Sequence, residues 1–193
     1  MKKLLLILSL FACFTTFIFA SDDEVYSREN GTEIGISFSL PLALTDTSFM
    51  QKTGLGGSFT YRKTRDSIWC IQYGGSITFP TKSSEDYNKY LIFNADVALA
   101  LRVFDNKQFS VYASPTLGYK FVSNNLWANA QDSHVRSFLW IGADCELDYK
   151  ITSDLFVTAG ALLEYDFYKI SGGQHEAIGE MVITPKLGLV LLM

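Results

Sequence analysis

The stretch LWIGADCELDYKITSDLFVTAGALLEYDF, residues 139–167, decides the architecture. Its odd positions are Leu139, Ile141, Ala143, Cys145, Leu147, Tyr149 and Ile151, then Leu155, Val157, Ala159, Ala161, Leu163, Tyr165 and Phe167, all apolar or tyrosine. The even positions carry the charge of both runs: Asp144, Glu146, Asp148, Lys150, Glu164 and Asp166. Successive side chains of a β-strand point to opposite faces, so a period of two specifies strands. Thr152-Ser153-Asp154 supplies turn chemistry between the runs. The stretch predicts a hairpin of two long strands, apolar on one face, with ions and glycines on the other.

The same alternation extends outward over the rest of the chain. Strands are predicted at Thr32–Leu42, Thr53–Arg62, Ser67–Phe79, Tyr90–Phe104 and Phe109–Phe121, then the hairpin, whose first strand begins near Val135, and last Glu180–Met193. That makes eight. Tight turns at Lys63–Asp66, Asp105–Gln108 and Thr152–Asp154 alternate with longer loops at Thr45–Lys52, Pro80–Lys89, Asn124–His134 and Ser171–Gly179. A meander with short turns at one end and long loops at the other is the pattern of a transmembrane barrel. Pro115 and Pro185 fall inside predicted strands, where each removes a ladder donor. A bulge or irregular pair is expected at Pro115, and Pro185 is expected near the outer end of the last strand.

The mixed face sets the orientation. Small residues recur along it: Gly35, Gly54, Gly56, Gly74, Ala98, Ala100, Gly118, Gly142, Gly160 and Gly188. Interleaved are the acids Glu33, Asp96, Asp144, Glu146, Asp148, Glu164, Asp166 and Glu180, and the bases Arg62, Arg102, Lys120, Arg136, Lys150 and Lys186. An eight-stranded barrel has room inside only for side chains, and unpaired charges there cost several kcal/mol each. Glycines make space and near-balanced ions fill it. A soluble lipocalin-like barrel inverts this orientation, but its water-facing side would not be so rich in glycine. The apolar side here is also too bulky for one small cavity. The expected fold is all-β: an eight-stranded antiparallel up-and-down transmembrane β-barrel.

The N-terminus agrees with export. Met1-Lys2-Lys3, an apolar run from Leu4 to Phe19, and the small Ala20 before Ser21-Asp22-Asp23-Glu24 read as a secretory signal peptide. The segment Leu10-Phe11-Ala12-Cys13 loosely resembles a lipoprotein box acylated at Cys13, but Phe11 fits it poorly and the apolar run continues beyond Cys13. The expected organisation is a signal peptide over 1–20, a periplasmic leader over 21–31 and a barrel over 32–193. A net charge of −4 gives no basic surface for nucleic acid.

Taken together, the signal peptide, the eight strands, the alternating turn lengths and the C-terminal run Leu187, Leu189, Leu191 resemble the small outer-membrane barrels of the OmpA transmembrane-domain, OmpX and OmpW kind. Members of that group usually end in an aromatic residue read by the barrel-assembly machinery, whereas this chain ends in Met193. The resemblance implies residence in the bacterial outer membrane, outer-membrane lipids around the barrel, and assembly by that machinery with periplasmic chaperones.

No catalytic, cofactor or metal site is expected. Cys70 is expected inside and Cys145 toward lipid, on strands that are not neighbours, too far apart for a disulfide. Asp132-Ser133-His134, and His175 beside Glu176, are read as solvated loop residues. An interior ionic network is expected from Asp96, Arg102, Lys120, Arg136, Asp144, Glu146, Asp148, Glu164, Asp166 and Lys186. Two functions follow. One is a structural or surface-interaction protein whose loops meet a host or extracellular ligand, with Leu126 and Trp127 at the tip of the hairpin expected to rise highest. The alternative, which the OmpW resemblance suggests, is a narrow channel for small apolar solutes, walled by Phe138, Trp140, Leu162 and Tyr168.

Overall fold

A computed structural model describes residues 31–45, 53–64, 68–82, 91–123, 135–171 and 174–193. All regular structure among them is β. The strands are β1 (Gly31–Ser39), β2 (Leu42–Ala43), β3 (Thr53–Thr64), β4 (Trp69–Lys82), β5 (Leu91–Asp105), β6 (Phe109–Ser123), β7 (Val135–Lys150), β8 (Leu155–Ser171) and β9 (Gln174–Leu192). β1 and β2 are one stave interrupted at Leu40-Pro41: both pair with β3 on one side and β9 on the other. Proline has no N–H for the ladder, although the Pro41 carbonyl still accepts from Gly54 N–H at 3.0 Å. Every other stave is antiparallel to its two neighbours, so the sheet closes as an eight-stranded barrel.

Register fixes the barrel's dimensions. Pairing from Glu33 runs through Arg62, Gln72, Ala98, Thr116, Gly142, Glu164 and Val182 and returns to the first stave at Ala43. The return is displaced from 33 to 43, a shear of 10 residues. With normal strand spacing and rise, that shear tilts the strands about 40° and gives a backbone radius of about 8 Å. So narrow a tube holds side chains and little else. Its seam is tied at the C-terminus, where Thr32 and Met193 exchange both backbone hydrogen bonds at 2.9 and 2.8 Å.

The two faces separate as the alternation requires. Ile36, Leu117, Ile141 and Leu187 project outward, between 50% and 61% exposed, while Glu33, Arg62, Asp148 and Asp166 are at most 1% exposed. Outward aromatics pair near both rims. Phe109 and Tyr149 (centroids 5.3 Å apart) and Tyr61 and Tyr73 (6.3 Å) lie toward the tight turns. Phe93 and Phe121 (6.3 Å) lie toward the other end. Two rim bands of this kind suit the interfaces of a bilayer. The turns themselves are closed by side chains. Asn106 Oδ1 accepts from Gln108 and Phe109 N–H, and Thr152 Oγ1 from Leu155 N–H.

Several details differ from the sequence expectations. β1 begins at Gly31, one residue inside the span expected for the leader. Pro115 keeps its register opposite Ala143. On its other side the β5–β6 ladder skips Leu99/Pro115 and Ala100/Ser114, the irregular pairing expected there, and resumes at Leu101↔Ala113 without a slip; the register shift falls at Arg102/Phe104. Pro185 lies well inside β9, opposite Ala161, and its carbonyl accepts from Leu40 N–H at the break between β1 and β2. Most of the loop expected at Ser171–Gly179 is strand, with Ser171 opposite Gln174 and His175 opposite Ile170. Among described strands the longest are therefore β8 and β9, at 17 and 19 residues, rather than the hairpin before them. The signal peptide and leader, Asp132-Ser133-His134, and Leu126 with Trp127 lie outside the described residues.

Glycines on the two faces obey different rules. A Cβ on Gly118 would overlap the Trp140 indole, whereas a Cβ on outward Gly57 meets nothing nearer than the Ser37 carbonyl oxygen at 3.8 Å. Gly118→Val should therefore prevent folding, removing the fast-migrating folded band on unboiled detergent gels. Gly57→Val should fold as the parent does.

Candidate functional site: the ionic axis of the barrel

The interior is organised by three cations. Arg62, on β3, is four staves from β7 and so faces it across the full diameter. Its Nη1 lies 3.0 Å from Glu146 and its Nη2 3.0 Å from Asp148, both on β7. Its Nε lies 3.0 Å from Glu33 on the neighbouring β1. The guanidinium also sits 4.0 Å from the centroid of the Tyr112 ring, whose hydroxyl donates to Glu33 at 3.5 Å. Planarity and five donors in a fixed fork let one arginine serve three carboxylates.

The two lysines each skip a strand. Lys186 on β9 reaches past β8 to Asp144 (2.6 Å) and Glu146 (2.7 Å) on β7. Lys120 on β6 reaches past β7 to Glu164 (2.8 Å) and Asp166 (2.9 Å) on β8. Glu146 is thus shared by Arg62 and Lys186, which joins two clusters into one. Beside Lys120, Trp140 Nε1 donates to Asn94 Oδ1 at 2.7 Å, and Asn94 Nδ2 donates to Glu164 at 3.5 Å. All this lies in a low-dielectric tube, where each ion needs its partner.

The predicted interior residues divide as follows. Lys120, Asp144, Glu146, Asp148, Glu164, Asp166 and Lys186 come together on the axis. Arg102 does not join them: it pairs with Asp105 at 3.2 Å, beside the β5–β6 turn, because the register shift at Arg102/Phe104 lies at that end. The Arg136 side chain lies outside the described set. Asp96 faces inward above Gly74, where a Cβ would overlap its carboxylate. Three axial cations serve six carboxylates, namely Glu33, Asp144, Glu146, Asp148, Glu164 and Asp166.

Arg62 and Glu33 were on the predicted inner face but not in the predicted network, and Tyr112 and Asn94 were not singled out. Their signal was mid-strand polarity on the glycine side; their partners depend on the shear. The proposed apolar wall is also altered. Phe138, Trp140 and Leu162 are buried inside. Tyr168, however, stands opposite Leu139 and Ala177 on the outer face, because a register shift at Asp166/Tyr168 reverses the parity and turns Lys169 inward instead. Two small cavities share Ser76, Asn94, Glu164 and Thr184 in their linings, with volumes of about 40 and 30 Å³. That is room for a few water molecules.

Removing Arg62 strands Glu33, Glu146 and Asp148 in the interior. Arg62→Met should cost about 3–5 kcal/mol, read as an earlier midpoint in urea unfolding. Lys107→Met, at an exposed position in the β5–β6 turn, should change stability by about 0.5 kcal/mol or less.

No protein-family model matches the chain, and no curated protein matches it. Solved structures do match in fold. Neisserial surface protein A aligns over 84% of this chain and 97% of its own, with TM-score 0.67 and 11% identity. Ail, the attachment invasion locus protein of Yersinia pestis, aligns over 86% and 99%, with TM-score 0.54 and 16% identity. The outer membrane protein AlkL aligns over 90% and 94%, with TM-score 0.56 and 10% identity. By its closed eight-stave sheet, its apolar exterior and these likenesses, the chain has the fold of the small transmembrane β-barrels of bacterial outer membranes.

Proposed function

We propose that the protein is an outer-membrane barrel of structural or surface-interaction type, closed to solutes along its axis, with its longer loops turned outward. The observation that carries this reading is Arg62, which crosses the diameter to Glu146 and Asp148 at 3.0 Å with 1% of its side chain exposed. Lys120 and Lys186 add two further ties between strands that are not neighbours. A lumen of about 8 Å backbone radius laced by such pairs has no continuous aqueous path. Outer-membrane lipids cover the apolar belt, and the chain reaches them as an exported protein through the barrel-assembly machinery and periplasmic chaperones.

Function then resides in what the barrel displays. Ail has been solved in complex with the heparin analogue sucrose octasulfate, and an extracellular ligand held by the loops is the corresponding expectation here. The reading as a narrow channel for apolar solutes has less support. Tyr168 is outside its supposed wall, and Trp140 is engaged by Gly118 and Asn94.

In planar bilayers the purified protein should give no resolved conductance steps at moderate voltage. Reproducible single-channel steps would move the reading to transport. Membrane fractionation should place it with outer-membrane markers, as a band whose mobility changes on boiling.

A further inference from the structure

One inward carboxylate of the described residues stands outside these ion-pair clusters. It is Asp96 on β5, an inner-face carboxylate that is not among the six that Arg62, Lys120 and Lys186 serve. Among the described residues it makes neither a hydrogen bond nor an ion pair. It lines the cavity of about 30 Å³, together with Ser39, Gln72, Asp144, Glu164, Thr184 and Lys186. Besides Asp144 Oδ1, three neutral oxygens of that lining also have no hydrogen-bond partner: Ser39 Oγ, Gln72 Oε1 and Thr184 Oγ1. These residues are 1%, 2% and 7% exposed. Buried polar atoms in folded proteins are nearly always satisfied, and desolvating an unpaired carboxylate is more costly still.

We propose that this cavity binds a monovalent alkali cation. Asp96 supplies the counter-charge, and oxygens of Gln72, Ser39 and Thr184 supply neutral ligands. The lining selects the sign: three carboxylates face one ammonium, and Lys186 is already engaged by Asp144 and Glu146. It selects the charge as well. Mg²⁺ keeps several of its waters and Ca²⁺ takes six to eight oxygens. A cavity of about 30 Å³ admits only about two waters, and the Lys186 ammonium opposes a divalent ion. Na⁺ or K⁺, stripped of most of its shell, fits both limits. Binding would stabilise the folded barrel by mass action, because the unfolded chain has no such site.

The test reads stability whether or not the barrel conducts, so it is separate from the closed-lumen reading. Purified protein in neutral detergent micelles is unfolded by urea at fixed ionic strength and fixed pH, with Na⁺ replaced stepwise by N-methyl-D-glucamine. The urea midpoint should rise with Na⁺ and saturate. Asp96→Asn should abolish that dependence and, in N-methyl-D-glucamine, unfold no earlier than the parent, since it removes an uncompensated charge. A midpoint indifferent to the cation, a dependence that survives in Asp96→Asn, or stability that tracks pH while ignoring Na⁺ would overturn the proposal in favour of water or a proton. Sodium NMR on the parent protein covers the case in which the variant does not fold. Excess line broadening competed away by K⁺ but not by N-methyl-D-glucamine supports the site, and its absence rejects it.

Discussion

The contact on which the rest depends is the Arg62 guanidinium held between Glu33, Glu146 and Asp148, each at 3.0 Å. A buried ion pair is seldom a net source of stability, because dehydration offsets most of the attraction. Its value here is specificity. The pairing exists only if β3 and β7 stand on opposite sides of a closed tube with a shear of 10 residues, as the strand registers give. A slip of one residue would turn a strand's inner charges outward and its outer apolar residues toward the axis. The ionic axis therefore rejects the wrong registers more strongly than it rewards the right one.

Packing completes that selection. Narrowness forces large and small residues to alternate across the lumen. Trp140 occupies the space over Gly118, and Asp96 that over Gly74. Gly188 and Gly160 leave room against the backbones of β1 and β7. On the other face no such constraint operates, since lipid adapts to any apolar surface. Strand-favouring residues such as Ile36, Ile71, Tyr73 and Leu189 stand outward there. The single chain thus presents two faces, one apolar and outward, the other lined with its own ions.

Much of this is legible in the sequence because side-chain parity is a local property. The odd positions from Leu139 to Leu147 are on the outer face and the even ones from Trp140 to Asp148 are inside, as alternation alone requires. What escapes is whatever depends on strands far apart in sequence. Nothing local tells that Arg62 meets Asp148, 86 residues away, or that Lys186 meets Asp144. Bulges escape for the same reason. One extra residue at Asp166/Tyr168 reverses the parity, so Tyr168 and Lys169 exchange the faces that counting assigns them. Nor does composition tell that Arg102 is held beside a turn by Asp105.

The central physical claim is that the bulky apolar face is bathed in lipid while the charged face is sealed inside. Cysteine substitution along β6, in a background lacking Cys70 and Cys145, tests it directly. A bilayer-partitioned thiol reagent should label cysteine at Leu117, which is 51% exposed, and spare cysteine at Thr116, which is 7% exposed. Labelling at 116 with protection at 117 would mean that the barrel is inverted.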